Sequence, residues 1–218
     1  MKEGIFITFE GCEGAGKSTQ AKKVFKKLLS KGYDVVFTYE PGGTEIADEI
    51  RHILLNKKFS EKMEPKAELL LYFASRAQHI ENLILPSLRE GKIIICDRFS
   101  DATFAYQGYA RGLDMEKIMQ LNDFSTNGIT PNLTILIDID VEKGLKRGRK
   151  RNNGKTLFDR MENEELEFHR KVRLGYLDLA KKYSDRIMVF DGSLSVDALF
   201  EKIYGEIENY LAKVEAVK

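Results

Sequence analysis

Residues 9–20 read F-E-G-C-E-G-A-G-K-S-T-Q and follow the apolar run I-F-I-T. Gly11-Cys12-Glu13-Gly14-Ala15-Gly16-Lys17-Ser18 satisfies the whole of G-x-x-x-x-G-K-[ST], between a strand-like and a helix-like segment. The glycines let backbone N–H groups turn inward around phosphate oxygens, and the helix N-terminus adds favourable dipole charge. Lys17 is expected to reach the β- and γ-phosphates of a nucleoside triphosphate and Ser18 to ligate Mg²⁺. Residues 11–18, with Thr19, form the expected triphosphate-binding set. A bare glycine-rich turn would not need the lysine and hydroxyl at these spacings.

The rest of the chain fits the architecture that such a loop demands. Short, branched, apolar runs at Ile5–Glu10, Val35–Glu40, Ile93–Asp97, Leu133–Asp140 and Ile187–Asp191 read as buried strands. The segments between them are helix-like. Lys17–Ser30 places Ala21, Val24, Phe25, Leu28 and Leu29 on one face, and Gly32 marks its stop. Glu64–Glu90 is a long helical pattern in which Pro86 predicts a kink or break. A last helix is expected at about 195–212. Strands alternating with helices predict an α/β fold: a five-stranded parallel sheet flanked by helices, with ligands beyond the carboxyl ends of the strands. No repeat or linker interrupts residues 1–218, so a single domain is expected.

Charge and apolar run length narrow the function classes. Lys+Arg total 35 against 34 Asp+Glu, so no global basic field points to nucleic acid. Apolar runs such as I-I-I-C at 93–96 are too short to span a membrane, and the first residues lack the features of a signal peptide. Cys12 and Cys96 read as reduced thiols of a cytoplasmic protein.

An acid on the magnesium side normally ends a neighbouring strand. Asp97 and Asp138 both qualify, and Asp97 is favoured because Arg98 follows at once as an anion partner. No guanine-reading N-K-x-D sequence is present. Instead, Tyr72 and Phe73 precede Arg76 by four and three residues, so an aromatic ring and a guanidinium share a helical face. That pairing suits nucleobase recognition, but these residues alone favour core packing by the two rings with Arg76 in a surface ion pair. The basic run L-K-R-G-R-K-R-N-N-G-K at 145–155 could be a solvated helix face or a lid that closes over phosphates.

Together these stretches resemble bacterial thymidylate kinases. The likeness rests on the phosphate loop, E-P-G-G-T at 40–44, Y-F-A-S-R at 72–76, D-R-F at 97–99, A-Y-Q-G-Y-A-R-G-L at 105–113 and F-D-R-M-E at 158–162. It implies a P-loop nucleoside monophosphate kinase fold, transfer of the ATP γ-phosphoryl to dTMP with Mg²⁺, and a homodimer. It also implies residue roles. Glu13 would hold the sugar 3′-OH region, Arg98 the dTMP phosphate, and Arg76 the thymine O4. Tyr72 takes the position that stacks on the base, with Phe73 beside it as the competing ring. Thr103 and Gln107 lie where the base edge is contacted, and Tyr106 where a 2′-OH would clash. Arg147 resembles the residue that packs on adenine. Arg149 and Arg151 resemble the arginines of a lid spanning about 145–158.

Three positions depart from the family's usual pattern. Tyr39 stands where an arginine commonly precedes E-P-G-G-T, Tyr72 where phenylalanine is common, and Ala102 where the D-R-[YF]-x-x-S pattern has serine. The rival expectations are a kinase for another pyrimidine monophosphate and a non-catalytic ATP switch. For a dimer, the apolar faces of the helices at 64–90 and 99–127 are the candidates.

Overall fold

The computed structural model describes residues 4–56, 59–151, 160–161 and 164–216. Five strands form one parallel sheet: β1 (Ile5–Glu10), β2 (Val35–Tyr39), β3 (Ile93–Asp97), β4 (Leu133–Asp138) and β5 (Ile187–Asp191), in the order β2-β3-β1-β4-β5. β1 is central because it is the strand that both halves of the sheet share. Register aligns Phe9 with Asp97 and Ile135, and Tyr39 with Asp97. All the strand-end acids therefore emerge along one edge.

Alternation along the strands sends side chains to two covered faces. Ile7, Phe9, Ile93, Ile95, Ile135 and Ile137 pack with Val24 and Leu28 of α1 (Lys17–Ser30) and with Leu199, Ile203 and Ile207 of α9 (Val196–Ala216). Phe6, Ile94 and Cys96 face the opposite way, onto Ile80, Ile84 and Phe99. Each large apolar side chain fully buried here contributes roughly 1.5–3 kcal/mol.

The remaining helices are α2 (Glu45–Leu55), α3 (Pro65–His79), α4 (Leu85–Arg89), α5 (Ser100–Thr103), α6 (Met115–Thr126), α7 (Val141–Arg151) and α8 (Leu166–Lys182). Residues 80–84 form a π-turn that joins α3 to α4, with the Leu85 N–H donating to the Ile80 carbonyl. The α-helix is thus interrupted, as Pro86 predicts, in the turn just before the proline. The widened turn absorbs one residue just before the proline, and Pro86 sits in the first turn of α4, where its missing N–H costs nothing. A second π-turn, Phe104–Ala110, carries Tyr106 and Gln107 inward from α5. Two strands end sooner than their apolar runs suggest: Glu40 and Ile139 lie just past β2 and β4. The last helix runs further than expected, to Ala216.

Among the described residues no helix is long and apolar enough to cross a membrane.

Candidate functional site

The phosphate loop leaves β1 at Gly11 and enters α1 at Lys17. Gly16 precedes the helix in the left-handed conformation at φ 103°. Gly14 is left-handed too, at φ +69°, and a Cβ there would lie 1.9 Å from the Gly144 carbonyl oxygen. A Cβ on Gly144 would in turn meet the Glu13 carbonyl at 2.5 Å. Two glycines thus let α7 lie directly against the phosphate loop, which anchors the base of the basic segment beside the triphosphate site.

Lys17 is buried, and its Nζ donates to the Cys12 carbonyl at 2.7 Å. Burial and the nearby charge of Arg98 lower its pKa below the ordinary lysine range. Phosphate oxygens are the groups that would restore its charge most effectively. Cys12 is buried among Ala105, Tyr106 and Phe168, and desolvation pushes its thiol up to about 11. It therefore contributes backbone to the loop, not a nucleophile. Ala15 is buried, Glu13, Gly14, Gly16, Lys17 and Ser18 line the cleft, and Thr19 lies at its open edge.

One cavity of about 450 Å³ runs from this loop, past Asp97 and Arg98, to Tyr72, Arg76, Thr103, Tyr106 and Gln107. The predicted triphosphate residues and the predicted acceptor residues therefore share a single space. Asp97 and Asp138 are now distinguished. Arg173 clamps Asp138 with two hydrogen bonds of 2.7 and 2.8 Å, whereas Asp97 lines the cavity.

Arg98 sits in a left-handed turn at φ 75°, which costs a residue with a Cβ about 1–2 kcal/mol. The turn aims its guanidinium across the cleft. Nη1 donates to the Gly11 carbonyl and to Tyr176 Oη, both at 3.2 Å, and Nη2 donates to Tyr106 Oη at 3.2 Å. Glu13 Oε2 lies 3.7 Å away. Desolvation opposes the Arg98 charge, but these neighbours outweigh it and hold the group cationic.

Arg76 is 2% exposed, so it is no surface ion pair. Its Nε donates to Glu40 Oε2 at 2.8 Å, and Nη2 donates to Thr103 Oγ1 at 2.9 Å and to the Phe99 carbonyl at 3.2 Å. Glu40 also accepts from His79 Nδ1 at 3.0 Å. Burial would raise the Glu40 pKa, yet Arg76 and His79 together bring it below the usual range. Gln107 Nε2 donates to the buried Glu68 at 2.9 Å. The two candidate rings separate: Tyr72 lines the cavity, whereas Phe73 is buried with Leu69 and Ile118. Phe73 is thus removed from the candidates for contact with a base. Helical rotation of about 100° per residue explains why neighbours face differently.

Arg147 extends from α7 to donate to the carbonyls of Gly192 and Ser193 just past β5, at 2.6 and 3.5 Å. The side chains of Arg149 and Arg151, and most of the lid segment, lie outside the described residues.

Arg51, Glu10 and Tyr176 are among the residues at this site that the sequence alone does not mark. Arg51 of α2 lines the cavity, donates to the Pro41 carbonyl at 2.6 Å, and lies 5.3 Å from the centroid of Tyr39. The Tyr39 hydroxyl is tied to Asp48 at 3.0 Å. The tyrosine thus supports an arginine from the neighbouring helix where the family commonly has an arginine in the strand. Glu10 and Tyr176 are the other two, and both lie behind Arg98. Glu10 was signalled only by being a charge at the end of a buried strand; nothing local marks Tyr176.

Comparison with known proteins identifies the family of the chain. The family model described as "Thymidylate kinase" matches residues 9–203. The thymidylate kinase of Geotalea daltonii is 54% identical over 197 residues, covering 89% of this chain and 92% of that one. A Geobacillus thymidylate kinase is 49% identical over 198 residues, covering 91% and 93%. The crystal structure of thymidylate kinase from Ehrlichia chaffeensis superposes with a TM-score of 0.76 at 34% identity, covering 94% of this chain and 99% of that one. The sheet and its helices are therefore those of a P-loop nucleoside monophosphate kinase.

Proposed function

This chain belongs to the thymidylate kinase family, and from that membership and the shape of the cavity we infer that it transfers the γ-phosphoryl of ATP to dTMP, giving dTDP and ADP. The observation that carries this reading is the single cavity with a phosphate loop at one end and the Tyr72–Arg76–Thr103 group at the other, bridged by Arg98.

Transfer forms a bond from a dTMP phosphate oxygen to Pγ and breaks the bond from Pγ to the β-phosphate oxygen. The acceptor dianion is already nucleophilic, so no general base is needed. Alignment and charge neutralisation are what the protein supplies. Backbone N–H groups of residues 11–18 and Lys17 hold the ATP phosphates. Arg98 aligns the acceptor phosphate, with Arg51 as a second cation on the same wall. Tyr72 stacks on thymine, Arg76 and Thr103 face its edge, Gln107 contacts the base, and Tyr106 lies under the deoxyribose. Glu13 takes the 3′-OH region. Arg147 packs at the adenine end, and Arg149 and Arg151 close over the transferring group.

Ser18 and Asp97, both on the cavity wall beside the phosphate loop, would supply the protein's oxygen donors to Mg²⁺. Among the described residues no cluster of three His, Cys, Asp or Glu could hold a metal alone. A wall with few protein ligands suits Mg²⁺, which keeps waters and binds largely through substrate phosphates. When bound, it would neutralise charge on the β- and γ-phosphates.

Arg151→Ala is expected to lower kcat by about 10²–10³-fold with a change of at most about threefold in KM for dTMP, measured by coupled steady-state kinetics. An unchanged kcat removes Arg151 from the mechanism.

We also place a homodimer on α2, α3 and α6. Ile46, Ile53, Leu70, Met119 and Phe124 are exposed on these neighbouring helices, and Phe124 is 85% exposed. Burying a carboxylate there without a partner costs several kcal/mol. Leu70→Glu with Phe124→Glu is therefore expected to give a monomer by light scattering, and a dimer that survives both changes would locate the interface elsewhere. The substrates and the two free cysteines suit the cytoplasm.

A coupled assay of ADP release from ATP and Mg²⁺ across a set of nucleoside monophosphates tests this function. ADP release should be stimulated strongly by dTMP, weakly by dUMP, and little by the ribose form, dCMP or AMP. Strongest stimulation by a different monophosphate would keep the mechanism and overturn the reading of residues 72–107.

A further inference from the structure

We propose that Glu10 is a positioning residue for Arg98, acting on the arginine from both sides: through the main chain that follows it and through the Tyr176 hydroxyl that receives its guanidinium. The proposal rests on the reading of Arg98 as the group that aligns the acceptor phosphate.

Glu10 is the last residue of β1 and is fully buried. Its Oε1 accepts the Phe99 N–H at 2.6 Å, and its Oε2 accepts the Tyr176 O–H at 2.7 Å. Tyr176 Oη then accepts from Arg98 Nη1 at 3.2 Å. On the other side of the arginine, the Arg98 N–H is bound by the Phe9 carbonyl at 3.0 Å. The two peptide N–H groups that flank the left-handed Arg98 residue are therefore both held by the end of β1, one by backbone and one by the Glu10 carboxylate. The same carboxylate orients a hydroxyl so that its lone pairs face Arg98. An uncharged strut would hold the peptide but would not bias the hydroxyl in this direction. A carboxylate can only accept, so it forces Tyr176 to donate to it and leaves the phenol oxygen as an acceptor for the guanidinium.

The surroundings make this arrangement sensitive to the charge on Glu10. It is faced by Asp101 from α5, by Arg98 and the Phe99 N–H from the loop after β3, and by Tyr176 from α8. Asp101 is itself held by Arg186 through two bonds of 2.8 Å. Burial, and then the Asp101 charge, push the Glu10 carboxyl up to about 7, against the opposing pull of Arg98. The group therefore changes its charge within the working range of an enzyme at neutral pH. Once protonated, Glu10 no longer draws the phenol proton or the arginine.

The test is the KM for dTMP between pH 6 and 8.5 in wild type, Glu10→Gln, Tyr176→Phe and Arg98→Ala, with KM for ATP and the thermal midpoint recorded alongside. Comparing variant with wild type at each pH cancels the titration of dTMP itself. Above the Glu10 pKa the wild type is charged at residue 10 and Glu10→Gln is not, so the variant's KM should be about tenfold higher at pH 8.5. At pH 6 the wild type is also neutral there, and the ratio should fall to about threefold or less. Tyr176→Phe should raise KM for dTMP by about five- to tenfold at pH 8.5 and leave KM for ATP unchanged. It removes one hydroxyl from a ring packed edge-on to Tyr106, so it keeps the question open to test if Glu10→Gln does not fold. A ratio that is the same at every pH, or wild-type KM values for dTMP in Tyr176→Phe, overturns the proposal. If Arg98→Ala itself has normal dTMP kinetics, the reading of Arg98 fails; if only that variant is impaired, the role of Glu10 alone fails.

Discussion

Arg98→Ala is expected to lower kcat/KM for dTMP by roughly a thousandfold, while ATP affinity measured without dTMP changes by less than about threefold. The asymmetry follows from where Arg98 sits. Its contacts are with Gly11, Tyr106, Tyr176 and Glu13, at the point where the phosphate loop meets the acceptor half of the cavity. The alanine also removes the guanidinium that lies 3.7 Å from Glu13, whose carboxylate lines the cavity. Arg98→Lys should recover only part of the loss, because an ammonium cannot donate in the fixed fork that reaches Tyr106 and Tyr176 together. Alanine at φ 75° remains strained, so no gain in stability is expected to mask the kinetic effect. Normal dTMP kinetics in Arg98→Ala would move acceptor-phosphate recognition to Arg51.

Arg76→Ala is expected to destabilise the protein by roughly 3–5 kcal/mol and to weaken both the affinity for dTMP and the preference for it. Glu40 would lose its closest cation while remaining 5% exposed, and an unpaired buried carboxylate is costly. His79 is its remaining partner, through Nδ1 at 3.0 Å, and that one hydrogen bond does not replace the guanidinium. Arg76→Met fills the space without the charge and should leave the same deficit, whereas Arg76→Met with Glu40→Gln should restore much of the stability and none of the base preference. A single Arg76→Ala variant with wild-type stability and wild-type discrimination between dTMP and dCMP would contradict both roles.

The parts legible in sequence are those where one physical demand dominates. β1 and β3 are branched apolar runs that end in acids, and the phosphate loop admits few alternatives at its glycines; Gly14 and Gly144 touch because neither has a Cβ. Legibility fails where two demands compete or where a contact is distant in sequence. Tyr72 and Phe73 are both plausible rings until the rotation of α3 is known, and only Tyr72 reaches the cavity. Pro86 signals a break on its own, but a π-turn one step earlier removes the conflict. Arg51 reads as a solvated charge on an amphipathic helix, because nothing local reveals that Tyr39 and Pro41 hold it. Glu10 and Tyr176 are 166 residues apart and meet only through the packing of α8 on the sheet.

The most direct measurement is the phosphorus NMR spectrum of a mixture of the protein, ATP, Mg²⁺ and dTMP followed to completion. Phosphoryl transfer predicts dTDP and ADP rising together, one for one, with no comparable rise in inorganic phosphate. ADP accompanied by inorganic phosphate and unchanged dTMP would show that water, not the nucleotide beside Arg98, takes the γ-phosphoryl, and would contradict the account.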